Sequence, residues 1–237
     1  MRLLFALATI AAVVAPLPAE ARTFDDQCRA AMAPYYAALL TSARGDVDGT
    51  LRHLVALRGR WDNLRRVPEA ERPAWASSRS GSVLEAVAVR IEAARVRTVA
   101  RQIVAAHADL ESVRALLRDA RAAAGVRTFD DAVTDYHEAM ERLTGRTGSH
   151  NEIALNADDY AAIQTQVERA ATAWAELESS AGGLKDARGW PVLSQATGRD
   201  LARLRTATAA RNMGETQTAA DELKARYIEL LTVLGRG

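Results

Sequence analysis

Apolar side chains recur at steps of three and four residues through most of the chain, which is the period of an amphipathic α-helix. One such stripe consists of Val47, Leu51, Leu54, Leu57, Trp61 and Leu64. After the N-terminal segment, no stretch alternates with the two-residue period of a β-strand over a strand's length. The pattern therefore predicts an all-α protein of about eight helices.

Capping residues and loop-forming residues predict where these helices begin and end. Asp46 follows Gly45 as an N-cap, and Ser82 with Glu85 three residues later has the spacing of a capping box. Pro34 falls inside the first predicted helix, which must kink or restart there. Two long Pro/Gly/Ser-rich loops are predicted at 67–82 and 180–193, and short turns near Gly45, at 105–108 and at 212–214.

The two halves of the chain resemble each other. The pentapeptide Arg-Thr-Phe-Asp-Asp occurs at 22–26 and again at 127–131. In each copy the threonine can cap a helix, with the second aspartate at the third helical position. Further matches follow in the same order, namely Trp61 with Trp174 and Trp75 with Trp190.

This duplication predicts the domain organisation. Each half contains two helices, a long loop and two more helices, which is the connectivity of an up-down four-helix bundle. We therefore expect two tandem up-down four-helix bundles, with the first repeat over 22–126 and the second over 127–237.

The last predicted helix, Gly214 to Tyr227, resembles the cytochrome b562-type periplasmic four-helix bundle, in which a polar turn leads into an alanine-rich helix with a similar Leu, Arg and Tyr pattern. That family holds haem between a Met early in its first helix and a His late in its fourth. Here Met32 and His137 occupy the early positions, whereas 114–121 and 224–232 contain neither His nor Met. The resemblance thus implies the fold, and haem ligation is not carried over to any residue.

The N-terminal segment predicts export. Residues 1–21 combine Arg2, an apolar run of about a dozen residues that is too short to cross a bilayer, and an Ala-Glu-Ala cleavage site. We therefore expect a cleaved signal peptide over 1–21 and a periplasmic or secreted product with no stable membrane span. The alternative is an uncleaved anchor.

Composition excludes several classes of function. The 237 residues carry 31 basic and 30 acidic side chains, a formal net charge of +1. This balance lacks the excess of basic residues that is typical of nucleic-acid-binding proteins. A single cysteine, Cys28, excludes an intramolecular disulfide and a cysteine-based metal cluster. No nucleophile elbow, phosphate-binding loop or His-Glu-x-x-His motif is present. We therefore predict no catalytic residue.

One acidic helix carries the candidate metal ligands. Asp130, His137 and Glu141 fall along one flank of the predicted fifth helix, and imidazole with carboxylates suits a divalent transition metal such as zinc, copper or ferrous iron. The alternative is an acidic helix N-terminus with a solvated flank. His107 and Glu111 form a similar pair, but an antiparallel hairpin places them roughly 16 Å along the axis from His137, so a shared site is not expected.

The tryptophans of the two long loops, Trp75 and Trp190, are the candidate partner-binding residues. The alternative is that they cap the ends of the bundles. We therefore expect an exported, non-enzymatic binding or interaction protein, with an envelope protein or a metal ion as its partner. The alternatives are a haem-binding electron-transfer protein of the cytochrome b562 type and a scaffold that binds no ligand.

Overall fold

A computed structural model of the chain describes residues 23–77, 82–148 and 157–236. This part contains eight α-helices and no β-strand, which confirms the all-α class. The helices are α1 (Phe24–Ala43), α2 (Val47–Arg66), α3 (Val83–Val99), α4 (Ile103–Ala123), α5 (Phe129–Gly148), α6 (Ala157–Ser180), α7 (Trp190–Ala209) and α8 (Met213–Leu234). The predicted signal peptide, 1–21, lies outside the described residues, and export stays a prediction.

The helices pack as two successive four-helix bundles. In the first repeat α1 packs on α2, α2 on α3, α3 on α4 and α4 on α1, and α5 to α8 follow the same cyclic order in the second. Ion pairs across α2 and α3 show their antiparallel register, because Arg58 pairs with Glu92 and Arg65 with Glu85. The tandem up-down arrangement is confirmed, whereas the domain boundary between 126 and 127 stays a prediction.

The first copy of the repeated pentapeptide forms the predicted capping box, and the second copy forms the half in which the aspartate accepts from the threonine amide. The Thr23 side chain accepts from the Asp26 amide at 3.2 Å, and the Asp26 carboxylate accepts from the Thr23 amide in return. In the second copy the Thr128 amide donates to Asp131 Oδ2 at 2.8 Å. Both copies therefore satisfy backbone donors that the helix itself leaves unpaired.

The structure corrects two predicted helix ends and decides between the two alternatives at Pro34. Ser82 stands at the N-cap of α3 without a side-chain cap hydrogen bond, and the Glu85 carboxylate is bound by Arg65. The turn predicted at 105–108 lies instead between α3 and α4, where Arg101 adopts a left-handed φ of 57°. α1 neither ends nor restarts at Pro34.

The turn at Arg101 adds a match between the repeats. Arg211, in the turn between α7 and α8, has a φ of 54°. The residue three positions earlier is a buried threonine in both turns, and the Thr98 and Thr208 hydroxyls each donate to the carbonyl four residues before them. Together with the Trp61 and Trp174 match, this turn aligns the second and third helices of each repeat.

The two repeats meet along a seam formed by α1 and α4 on one side and α5 and α8 on the other. Contacts across it join α1 to α8 and α4 to α5. A single cluster of buried apolar side chains continues from one repeat into the other. The seam is therefore where side chains from the two halves can form a joint site.

Candidate functional site

Asp130, the first candidate metal ligand, lies in the seam and is engaged by another helix. The Tyr36 hydroxyl on α1 donates to Asp130 Oδ1 at 2.5 Å. Burial raises the pKa of Asp130, and the Tyr36 hydrogen bond opposes that rise. Seven residues, about 10 Å of helix, separate Asp130 from His137. Asp130 therefore belongs to a contact between α1 and α5.

His137, the second candidate ligand, accepts a hydrogen bond from an arginine of the first repeat. Arg114 on α4 donates through Nη2 to His137 Nδ1 and through Nη1 to the Tyr227 hydroxyl at 2.7 Å. The His137 ring also packs on the Tyr227 ring, with centroids 4.6 Å apart. A guanidinium only donates, so the ring nitrogen facing it carries a lone pair and the imidazole is neutral. Burial, followed by the Arg114 charge, lowers the pKa of His137 to about 2.

Two glutamates complete the surroundings of His137. Glu141 Oε1 lies 3.8 Å from His137 Nε2 and 3.5 Å from Lys224 Nζ. Glu111 pairs with Arg114, and its Oε2 lies 3.7 Å from His137 Nδ1. These contacts define the seam cluster, which consists of His107, Glu111, Arg114, His137, Glu141, Lys224 and Tyr227.

His107 and His137 lie closer together than the axial separation of roughly 16 Å expected from a hairpin. Glu111 bridges them, because its Oε1 is 3.3 Å from His107 Nε2 while its Oε2 approaches His137. Glu111 lies one helical turn, about 6 Å, nearer to the connection between α4 and α5 than His107 does. His107 is anchored in turn by Ser42, whose Oγ lies 2.8 Å from His107 Nδ1.

The predicted site of Asp130, His137 and Glu141 does not form in this structure. Tyr36 holds the first, and a permanent cation, Arg114, occupies the coordinating nitrogen of the second. Among the described residues, no group of three or more His, Cys, Asp or Glu side chains is arranged to hold a metal ion. What the residues build here is a network of hydrogen bonds and ion pairs across the seam.

The seam cluster makes the stability of the fold depend on pH. Neutral His137 titrates near 6.5 in the unfolded chain but only near 2 in the folded one, so its contribution is complete above pH 6.5 and is lost as the pH falls below that value. At pH 5 His137 is therefore expected to lower the free energy of unfolding by about 2 kcal/mol relative to its value well above pH 6.5. Burial also lowers the pKa of His107, so His107 likewise makes the fold less stable as the pH falls. Burial raises the pKa of Asp130, which has the opposite effect on the pH dependence of stability.

The His137→Gln variant tests this expectation, since glutamine can still accept from Arg114 but does not titrate. Urea unfolding between pH 7.5 and 5 should show a weaker pH dependence in the variant than in the native chain. His53→Gln, on α2 and outside the seam cluster, is the control for replacing a histidine elsewhere in the fold. Equal pH dependence in the native chain and His137→Gln would contradict the assignment of a neutral, buried His137.

A second arginine of α4 forms a fully buried ion pair across the seam. Arg121 Nε and Nη2 both donate to Asp131 Oδ1, at 2.9 and 2.7 Å, and both side chains are at most 3% exposed. The Arg121 guanidinium lies 5.4 Å from the centre of the Trp75 ring. The carboxylate that caps α5 thus also ties α5 to the first repeat.

Trp75 and Trp190 are both buried, so neither forms an exposed aromatic contact, and Trp190 is the first residue of α7 rather than part of a loop. Trp75 packs edge-on against Phe24 at 5.6 Å, and Trp190 packs against Phe129 at 6.2 Å. Their exposed fractions are 4% and 3%. Each tryptophan therefore covers the phenylalanine of its own pentapeptide, which agrees with the alternative that they cap the bundle ends.

Sequence reasoning missed Arg114 and Arg121, although the sequence contains a signal for them. They follow Leu110 and Leu117 by four residues and so continue the apolar stripe of α4. An arginine at a core position must find a partner, because an unpaired buried charge is very costly. Their partners lie on other helices, Asp131 ten residues beyond Arg121 and His137 and Tyr227 further from Arg114, so the stripe of α4 alone does not identify them.

The first repeat also carries an exposed apolar surface that was not predicted. The valine face consists of Val55 on α2 and Val89, Val96 and Val99 on α3, and these side chains are between 53% and 65% exposed. Val55 precedes Arg58 by three residues and Val96 follows Glu92 by four, so the Arg58–Glu92 pair places both valines at one level. The face runs along the outer groove between α2 and α3, away from the seam.

Comparison with known proteins gives no relative. No protein-family model matches the chain, and neither the curated proteins nor the solved structures contain a match. Within the described residues, the helices lack the length and apolarity that crossing a membrane would require. Function must therefore be argued from the seam cluster, the tryptophans and the valine face themselves.

Proposed function

We propose that this chain is an exported, non-enzymatic protein-interaction module, in which the first repeat binds a protein partner through the valine face. The observation that carries the proposal is the concentration of half-exposed valines on one outer surface of that repeat. Exposed apolar patches of this kind mark interaction sites, whereas singly scattered ones need no explanation.

The second repeat supplies an internal comparison. When the repeats are aligned on their tryptophans and on the Arg101 and Arg211 turns, Val55, Val89, Val96 and Val99 correspond to Glu168, Arg199, Thr206 and Ala209. All four counterparts are exposed, and they are charged, polar or small. The fold itself therefore does not need apolar side chains at these positions, and the valines require another explanation.

Burial of the valine face alone would give weak binding, so a specific partner needs further contacts. Burying one half-exposed valine contributes about 1 kcal/mol, so the four together contribute about 4 kcal/mol. This corresponds to a dissociation constant in the millimolar range when no other contact is made. A partner must therefore also engage the polar rim of the face.

Site-specific photocrosslinking in cells tests the proposal. A photoreactive phenylalanine analogue at position 55 or 96 of the full chain should give an adduct with one protein species. The same analogue at the matched positions 168 and 206 should not give it. Circular dichroism of each variant checks that the helical fold is kept. Absence of any adduct specific to positions 55 and 96 would overturn the proposed function.

A further inference from the structure

The charge around the valine face indicates which kind of partner it fits. α2 and α3 together carry eight arginines and four carboxylates, a net charge of +4, although the whole chain has a net charge of only +1. The matched helices α6 and α7 carry four arginines and six carboxylates, a net charge of −2. The repeat that presents the valines is thus also the one with a basic outer helix pair.

Two of the arginines around the valine face, Arg52 and Arg101, lie at the end where α2 begins and α3 ends. Arg58 and Arg65 are paired with the glutamates of α3. Arg52 and Arg101 are exposed, and no carboxylate among the described residues lies within ion-pair distance of either. Arg52 lies one turn from Val55, and Arg101 follows Val99 by two residues, so both flank the valines with charge available for a partner.

The shape of the face fits a helix. Val89, Val96 and Val99 span ten residues, about 15 Å along α3, and Val55 contributes from the opposite wall of the groove. Exposed valines on two neighbouring helices can accept the apolar stripe of one further helix.

We propose that the occupant of the valine face is an acidic amphipathic helix of a protein partner. Its apolar stripe packs between Val55 on one wall and Val96 and Val99 on the other. Its acidic residues pair with Arg52 and Arg101. This inference rests on the proposed function and adds the chemistry of the partner to it.

Charge reversal on the rim tests the inference. In the chain carrying the crosslinker at position 96, Arg52→Glu combined with Arg101→Glu should lower the adduct yield by about 10-fold or more, since like charges now face the acidic partner. The matched control combines Thr165→Glu with Arg211→Glu, which places the same charges at the equivalent positions of the second repeat. This control should leave the yield unchanged.

Sequencing of the crosslinked peptide separates failure of this inference from failure of the proposed function. A partner peptide with acidic residues and apolar residues at helical spacing supports the inference. A basic or neutral peptide, an adduct with a second copy of this chain, or an unchanged yield after charge reversal would overturn it while leaving an interaction surface. Flotation of the purified chain with vesicles of phosphatidylglycerol and phosphatidylcholine, lost in the rim variant, would overturn it in favour of a membrane surface.

Discussion

Replacing Arg121 with leucine is expected to lower the free energy of unfolding by about 3–5 kcal/mol. The substitution leaves the Asp131 carboxylate buried without its cationic partner, and this uncompensated charge is the main cost. It also removes the cation from the Trp75 ring. Urea unfolding followed by circular dichroism at pH 7 measures the difference.

Arg127→Leu is the matched control for Arg121. Arg127 makes ion pairs of similar length, 2.9 Å to Asp135 and 2.6 Å to Glu176, but its side chain is 54% exposed. Pairs of this kind contribute at most about 1 kcal/mol, because water screens them. The double variant Arg121→Leu with Asp131→Asn should be more stable than Arg121→Leu alone, since the unpaired charge is gone. A loss at Arg121 no larger than at Arg127 would contradict the buried pair.

The helices and their order could be predicted because their causes are local. The apolar stripe through Leu54 and Trp61 is a property of adjacent residues, and so is the capping box at Thr23. The pentapeptide and the ordered tryptophans then indicated two bundles. Prediction failed where one side chain could make two different contacts. The Glu85 carboxylate could cap α3 or pair with Arg65, and only the packing of α2 on α3 decides between these.

The turn before α4 was misplaced because its signal is atypical. Left-handed backbone is usually provided by glycine, as at Gly45 and Gly125, but here Arg101 adopts it. The sequence did contain a clue, since Thr98 and Arg101 repeat the spacing of Thr208 and Arg211. This repeated spacing indicates a turn at Arg101, which places His107 inside α4.

The candidate site could not be predicted from one helix because its chemistry is set across the seam. His137 and Glu141 share a flank of α5, as expected, but Arg114 from α4 converts the imidazole from a potential ligand into a hydrogen-bond acceptor. Which long side chain reaches an imidazole depends on how two bundles pack together. The packing of the two bundles depends on residues far apart in sequence, so neither the hydrophobic periodicity nor the capping residues predict it.

Replacing Trp75 or Trp190 with alanine is expected to lower the free energy of unfolding by about 3–5 kcal/mol, the usual cost of removing a large buried aromatic side chain. Trp190 contacts Phe129 and also stacks on Trp174, whose ring centre is 6.2 Å away. Trp75 covers Phe24 and the guanidinium of Arg121. Chemical unfolding at pH 7 should therefore give a lower free energy of unfolding for both Trp75→Ala and Trp190→Ala.

Val192→Ala is the control for the tryptophan variants, because Val192 lies in the same first turn of α7 as Trp190 but is 72% exposed. Its truncation should change the free energy of unfolding by no more than about 0.5 kcal/mol. Trp75→Ala should also combine non-additively with Arg121→Leu, since the two side chains are in contact. If Trp190→Ala leaves the unfolding curve unchanged while abolishing the adduct at position 96, the tryptophan is part of the binding surface. If it lowers stability and the folded fraction still crosslinks, Trp190 stabilises the fold and takes no part in the binding surface.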